Sequence, residues 1–211
     1  MTRRWEDPDL PFPSGLDSPP AIQELLNGIA YSAEPVYRCP ASVLRDRKGH
    51  CFDGAVLAAA ALRRIGFPPR IVDLLPWEGH DDDHVLAVFK VEGGWGAVAK
   101  SNFVGLRYRD PVFRSLRELV MSYFEVFFNL AREKTLRAYT VPLNLARFDR
   151  RHWTTRDETM EDIATRLDQI RKHEVLAPGM AERLALLDPR SFEAGLMGAL
   201  PEGLRKVGVT N

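Results

Sequence analysis

The sequence predicts an α+β domain, and three stretches carry that expectation. The first is Gly54-Ala-Val-Leu-Ala-Ala-Ala-Ala-Leu-Arg-Arg-Ile65, which closes at Gly66 with Pro68 and Pro69 just beyond. Alanine and leucine are strong helix formers, and glycine followed by proline is a helix stop. A helix apolar on nearly every face must be largely buried, so it is expected at the centre of the domain. The second stretch, the eight residues 84–91, is rich in β-branched residues and returns through Glu92-Gly93-Gly94 into 95–102, a β-hairpin pattern. The third is a set of amphipathic segments on either side, two of them opened by Ser115-x-x-Glu118 and Thr155-x-x-Glu158, the spacing of a capping box.

In chain order, Pro8, Pro11, Pro13 and Gly15 make residues 1–17 an extended N-terminal arm. Ser18-Pro19-Pro20 reads as an N-cap with proline in the first turn, and Ile22, Leu25, Leu26 and Ile29 predict a helix over 19–30. A short turn or helix follows at 41–47. Beyond the central helix, residues 70–75 read as a strand, Asp81-Asp82-Asp83 as a solvated loop, and 104–111 as a loop bearing Arg107 and Arg109. A helix is expected from Ser115 to about Asn129, a strand over 136–141, and helices over 155–173, 179–187 and 191–199. The resulting division is an arm (1–17), a core (18–142) and a helical C-terminal extension (143–211).

Composition excludes several classes of function. Lys+Arg and Asp+Glu both number 29 in 211 residues, so no global basic field gathers nucleic acid or an anionic membrane. No run of about 18 apolar residues occurs, and the N-terminus lacks the apolar stretch of a secretory leader. The two cysteines, Cys39 and Cys51, form no C-x-x-C pair and are too few for a disulfide scaffold, so a soluble protein of the reducing cytoplasm is expected.

The chemistry-bearing residues cluster around Gly49-His50-Cys51-Phe52-Asp53-Gly54. Cysteine is nucleophilic as its thiolate, which a helix N-terminus stabilises. Cys51 stands at such a start, His84 opens a strand 33 residues later, and Lys100-Ser101-Asn102 lie on the returning strand. These are the residue types of nucleophilic catalysis: a thiol, an imidazole to accept and return its proton, and a third group to orient the imidazole. A three-residue hairpin loop sets His84 opposite Asn102, and a two-residue loop sets it opposite Ser101 or Phe103. His50, adjacent to Cys51, is expected to point away from it. His80, His84 and the aspartates between them present no matched ligand pair for a metal.

The motif Gly49-His50-Cys51, the Ala/Leu helix, Arg63-Arg64-Ile65-Gly66-Phe67-Pro68-Pro69-Arg70, then His84 and Gly93-Gly94-Trp95, resembles the core of the transglutaminase-like superfamily over residues 38–110. That resemblance implies a papain-like fold, with the central helix packed on a small antiparallel sheet. It also implies Cys51 as nucleophile and His84 as general base, with no cofactor and no metal. The family's aromatic residue two positions after the histidine is Leu86 here, and its aspartate after the hairpin tryptophan is absent. Asn102 is the first choice for the third role, then Ser101, then Asp110; Ser101, Lys100, Arg107, Arg109 and Trp95 are candidate substrate-binding residues. The implied function is thiol-dependent acyl chemistry on an amide or peptide bond, through a thioester at Cys51 and ending in hydrolysis or transfer. The substrate would be a peptide, a protein or a small amide. A catalytically inactive domain serving as a binding module is the alternative.

Overall fold

The computed structural model describes residues 10–204. Three short pieces lead to the central helix: α1 (Pro19–Asn27), β1 (Ala30–Tyr31) and α2 (Pro40–Asp46), with Pro at the first turn of both helices, where a missing N–H costs nothing. Next, β2 (Lys48–Gly49) pairs in parallel with β1, setting Tyr31 beside Gly49. The chain then enters α3 (Cys51–Arg64), in which every residue from Phe52 to Leu62 is buried. The N-terminal arm is tied down at Leu10 and Leu16, which are buried in the same core as α3; residues 1–9 lie outside the described part.

The sheet is antiparallel and seven-stranded. It contains β3 (Arg70–Pro76), β4 (His84–Val91), β5 (Gly94–Val98) and β6 (Arg109–Phe113). After α4 (Leu116–Met121) come β7 (Leu136–Thr140) and β8 (Leu143–Asn144); after α5 (Glu158–Gln169) comes β9 (Lys172–Glu174), and α6 (Pro189–Gly195) follows. The strand order is β6-β5-β4-β3-β7-β9, with β8 pairing the start of β3 on the edge that β7 occupies further along. Among the described residues no helix is long and apolar enough to cross a membrane.

Side-chain alternation divides the core into two layers. Val85, Ala87 and Phe89 of β4 face α1, α3 and α5, whereas Leu86 and Val88 face Leu119, Val120, Tyr123 and Phe127. The α+β class, the buried central helix and the hairpin are therefore as the sequence predicts.

Several boundaries differ, each for a local reason. The helix from Ser115 has the expected cap, Ser115 Oγ accepting the Glu118 N–H at 3.1 Å, but it stops at Met121, and the aromatic stretch continues as a 3-10 turn at Phe124–Val126. At the end of α4 the Ser122 hydroxyl bonds back to the Leu119 carbonyl at 2.6 Å, and Tyr123, Phe124, Phe127 and Phe128 beyond it are all buried. The Thr155 box does not cap: Thr155 bonds back to His152, and the helix begins at Glu158, after Asp157 has been drawn away to Cys39 and Ser42. The extension 143–211, expected to be helical, also supplies β8 and β9 within its described part, 143–204, residues 205–211 lying outside it; the expected 179–187 helix is only the turn Ala181–Arg183, and α6 covers Pro189–Gly195.

What brings α3 close to the sheet is Gly54. A β-carbon there would lie 2.4 Å from Lys100 Cβ, an atom that no side-chain rotation can move aside. Gly54→Ala should therefore lower stability by about 1–2 kcal/mol despite alanine's better helix propensity, because the overpacking outweighs it. Urea denaturation of the two proteins measures this.

Candidate active site

The first turn of α3 is held by a buried carboxylate. Asp53 is fully buried and accepts the backbone N–H groups of Arg38 (2.8 Å) and His50 (3.1 Å), with the Arg38 guanidinium 3.9 Å away. Burial nevertheless raises its pKa to about 7. Gly49 is required beside it, since a β-carbon would come within 3.0 Å of Asp53 Cβ.

Cys51 and His84 line one cavity near the point where the β4–β5 ladder stops. The hairpin loop is Glu92-Gly93, Val91 pairing with Gly94, and the ladder runs back only to Ala87 opposite Val98. Continued, it would set His84 opposite Ser101, but Ala99 instead gives its N–H (3.1 Å) and C=O (3.0 Å) to the Gln23 side-chain amide of α1. The Cys51 Sγ lies 3.8 Å from the carbonyl of Asp83, the residue before β4. Cys51, Asp83, His84 and Ser101 line one cavity together with Tyr31, Leu106 and Phe127.

The imidazole is oriented by backbone. His84, 3% exposed, is 2.8 Å through Nε2 from the Leu106 carbonyl. A carbonyl only accepts, so Nε2 carries the proton and the neutral ring keeps its lone pair on Nδ1. The Leu106 carbonyl is itself set in place: Arg109 donates to Gly105 O at 2.8 Å, and Tyr123 donates its hydroxyl to Arg107 O at 2.7 Å while stacking under the Arg109 guanidinium. A main-chain oxygen thus occupies the third position. No residue type announces such a group, and the sequence holds no signal that could have found it.

The other anticipated residues have different partners. Asn102 does not meet His84; its amide is closed on the C-terminal segment, donating to Leu200 O at 2.9 Å and accepting the Leu200 N–H at 2.7 Å. Ser101 accepts the Phe103 N–H and lines the cavity. Lys100 reaches the Leu26 and Ile29 carbonyls at the end of α1, and burial lowers its pKa to about 8. Arg107 holds Ser101 O and Asn27, and Arg109 fixes the 105–108 loop. Asp110 lies on β6, and Trp95 is at the far end of the hairpin, under Lys90. His50 packs its ring against Tyr37 and Phe52 and, with Cys51, lines a second cavity. Tyr31, which the sequence did not single out, brings a phenol into the first cavity; burial, and then the charge that Cys51 would carry, push its pKa up, so it is an O–H donor.

The charge state of the pair follows from its surroundings. Although Cys51 is only half-buried, dense packing and then the Asp83 carboxylate raise its thiol well above the ordinary value, against the Val85 and Phe52 N–H groups that favour the anion. Burial also pushes His84 down to about 4. Both groups are neutral at pH 7, so the cavity holds a thiol and an imidazole, not a preformed ion pair. Among the described residues no three His, Cys, Asp or Glu side chains are grouped to hold a metal ion.

Two outcomes are expected. In a pH titration by NMR, His84 stays neutral, protonated at Nε2, down to about pH 4. Asn102→Ala frees the C-terminal segment and accelerates alkylation of Cys51 by a small reagent, whereas loss of an imidazole orienter would slow it.

No curated protein matches the chain. Residues 19–99, the span from α1 through the hairpin that carries Cys51 and His84, match the family model of the transglutaminase-like superfamily.

Proposed function

We propose that this protein carries out thiol-dependent acyl chemistry on an amide or peptide bond, through a thioester at Cys51, ending in hydrolysis or in transfer to an amine. The observation that carries the reading is the sharing of one cavity by Cys51 and a His84 whose Nε2 is pinned by Leu106. With that nitrogen occupied, Nδ1 is the ring atom able to take the thiol proton.

In the first step Sγ bonds to the carbonyl carbon while its proton passes to Nδ1 and the carbonyl electron pair moves onto oxygen. Since both groups start neutral, proton transfer accompanies attack. The oxyanion is met by the Cys51 N–H, which at the first helical position has no intrahelical acceptor, and by the Tyr31 hydroxyl. Collapse expels the amine, which takes the proton back from Nδ1 and leaves the thioester. Water or a second amine then attacks the thioester, giving its proton to Nδ1, and the thiol is regenerated. The side chains described supply every proton transfer, and the substrate would be a peptide, a protein or a small amide.

A second reading has its own support. His84 has a carbonyl where a carboxylate would best stabilise an imidazolium, and burial opposes that charge. A domain of this kind that binds its ligand without turning it over is the consequence to be tested.

Labelling separates the two. Iodoacetamide should modify half-buried Cys51 in preference to buried Cys39, and His84→Ala should slow that reaction by about 100-fold, the scale of general base catalysis. Cys51 reacting like an ordinary thiol, indifferent to His84→Ala, would remove the basis of the enzyme reading and leave the binding module. Tyr31→Phe should lower turnover of a substrate about 100-fold, as loss of one oxyanion donor does, while leaving the alkylation rate within about twofold.

A further inference from the structure

Cys51 borders a second cavity, on the α3 side of the sheet, that the steps above leave unused. Its volume is about 120 Å³, room for a few small groups given the roughly 30 Å³ share of one water molecule. Its walls are Tyr37, Phe52, Ala164 and Leu167, with the Tyr37 and Phe52 rings 4.8 Å apart. Three carboxyl groups border it: Asp83 and Asp168, which are exposed, and Asp73 from β3, which is 2% exposed. Asp73 Oδ1 has no hydrogen-bond partner among the described residues.

An unpartnered carboxylate oxygen in a buried setting is costly, by roughly 1–3 kcal/mol or more if charged. The Asp73 N–H is taken by Thr140 Oγ1 at 2.9 Å, and the residue stands opposite Val85 in the sheet. Burial, and then the negative charges of Asp83 and Asp168, hold the Asp73 carboxyl well above the usual carboxylate range against Lys172, so a cation brought beside it would favour its charged form. What is missing is a positive charge with hydrogens to donate, and the surrounding aromatic and aliphatic walls suit one carried on a short apolar stem.

We propose that this cavity is a subsite for an alkylammonium group, a primary ammonium at the end of a short aliphatic stem, carried by the substrate as a recognition element beside the carbonyl that Cys51 attacks. The inference rests on Cys51 being the nucleophile. The ammonium donates to Asp73 Oδ1, its stem lies against Leu167 and Ala164, and Asp83 and Asp168 attract it to the mouth. Such a group is not the amine that attacks a thioester: an attacking amine must be neutral, and a floor of carboxylates holds it protonated. The cavity therefore selects a side chain and takes no part in bond making.

The probe is n-butylammonium, compared with neutral n-butanol, added to the full chain at pH 7 and followed through the methyl NMR signals of Ala164 and Leu167. Butylammonium should shift both signals saturably at millimolar concentration, with butanol at least tenfold weaker. Asp73→Asn, close in shape, should weaken butylammonium binding at least tenfold. Asp168→Asn, exposed and harmless to folding, should weaken it two- to fivefold and keeps the test decisive if the first variant does not fold. Equal binding of the neutral probe, no saturable shift, or affinity unchanged in the soluble variants would overturn the proposal. Because none of these readouts uses catalysis, failure of the nucleophile reading shows separately, in the dependence of Cys51 alkylation on His84.

Discussion

The first turn of α3 can enter the sheet only because two glycines and one buried carboxylate make space and connections for it. Gly54 lets the helix touch Lys100 Cβ, Gly49 lets the chain pass Asp53, and Asp53 ties the Arg38 and His50 backbones to the helix start. The opposite strand must yield as well, and it does so because Gln23 of α1 takes over both backbone groups of Ala99 once the β4–β5 ladder has stopped. Lys100, one residue on, binds the carbonyls at the end of α1. One contact between helix and split strand thus depends on α1, the hairpin and the 38–50 segment together. The sulfur is placed by packing; the electrostatics of the site are a consequence of where that packing leaves it.

Those electrostatics run against the simplest expectation for a helix-initial cysteine. The dipole and free N–H groups of a helix start favour a thiolate, but their effect is a fraction of what removal from water costs an anion, and Asp83 adds a like charge at close range. The imidazole is neutralised by the same low-dielectric surroundings. A neutral pair is self-consistent: neither group has a counterion, and neither needs one. In the proposed reaction, attack then requires charge to be made and met within one step, so that the donors around the carbonyl oxygen matter more than they would to an ion pair already formed. This gives physical weight to Tyr31, which stays protonated and faces the same space as Cys51.

The parts legible in the sequence are those written in local periodicity. Residues 54–65 could be nothing but a buried helix, and 84–102 nothing but a hairpin, so the order cysteine-headed helix, then histidine strand, was open to inspection. The loop length was not: two or three residues fit Glu92-Gly93-Gly94, and the difference moves the residue opposite His84 from Ser101 to Asn102. The third member of the constellation was out of reach for another reason. Leu106 acts through a carbonyl that every residue possesses, and only Arg109 and Tyr123, working on its neighbours, make that carbonyl special. β8 and β9, two and three residues long, are likewise strands by virtue of the partner they find, carrying too little pattern of their own.

Asn102 illustrates how a well-placed residue can be diverted by a segment distant in sequence. Its amide offers one donor and one acceptor in a plane, and the Leu200 backbone offers the complementary pair, so the match of 2.9 and 2.7 Å uses the side chain completely. An imidazole could have satisfied only one of those two groups. The bonded arrangement also places Gly203 between Tyr31 and Asn102, where a β-carbon would come within 2.7 Å of the Tyr31 ring, so the C-terminal segment forms one wall of the His84 cavity. The second cavity has no such wall: it is bounded by α5 and the Tyr37 to Phe52 region, and Asp73 Oδ1 has no hydrogen-bond partner among the described residues. The thiol therefore separates two unlike spaces. The one with His84 includes groups already bonded to main chain, while the one with Asp73 keeps an acceptor unpaired among the described residues, the asymmetry on which the proposed division between chemistry and recognition rests.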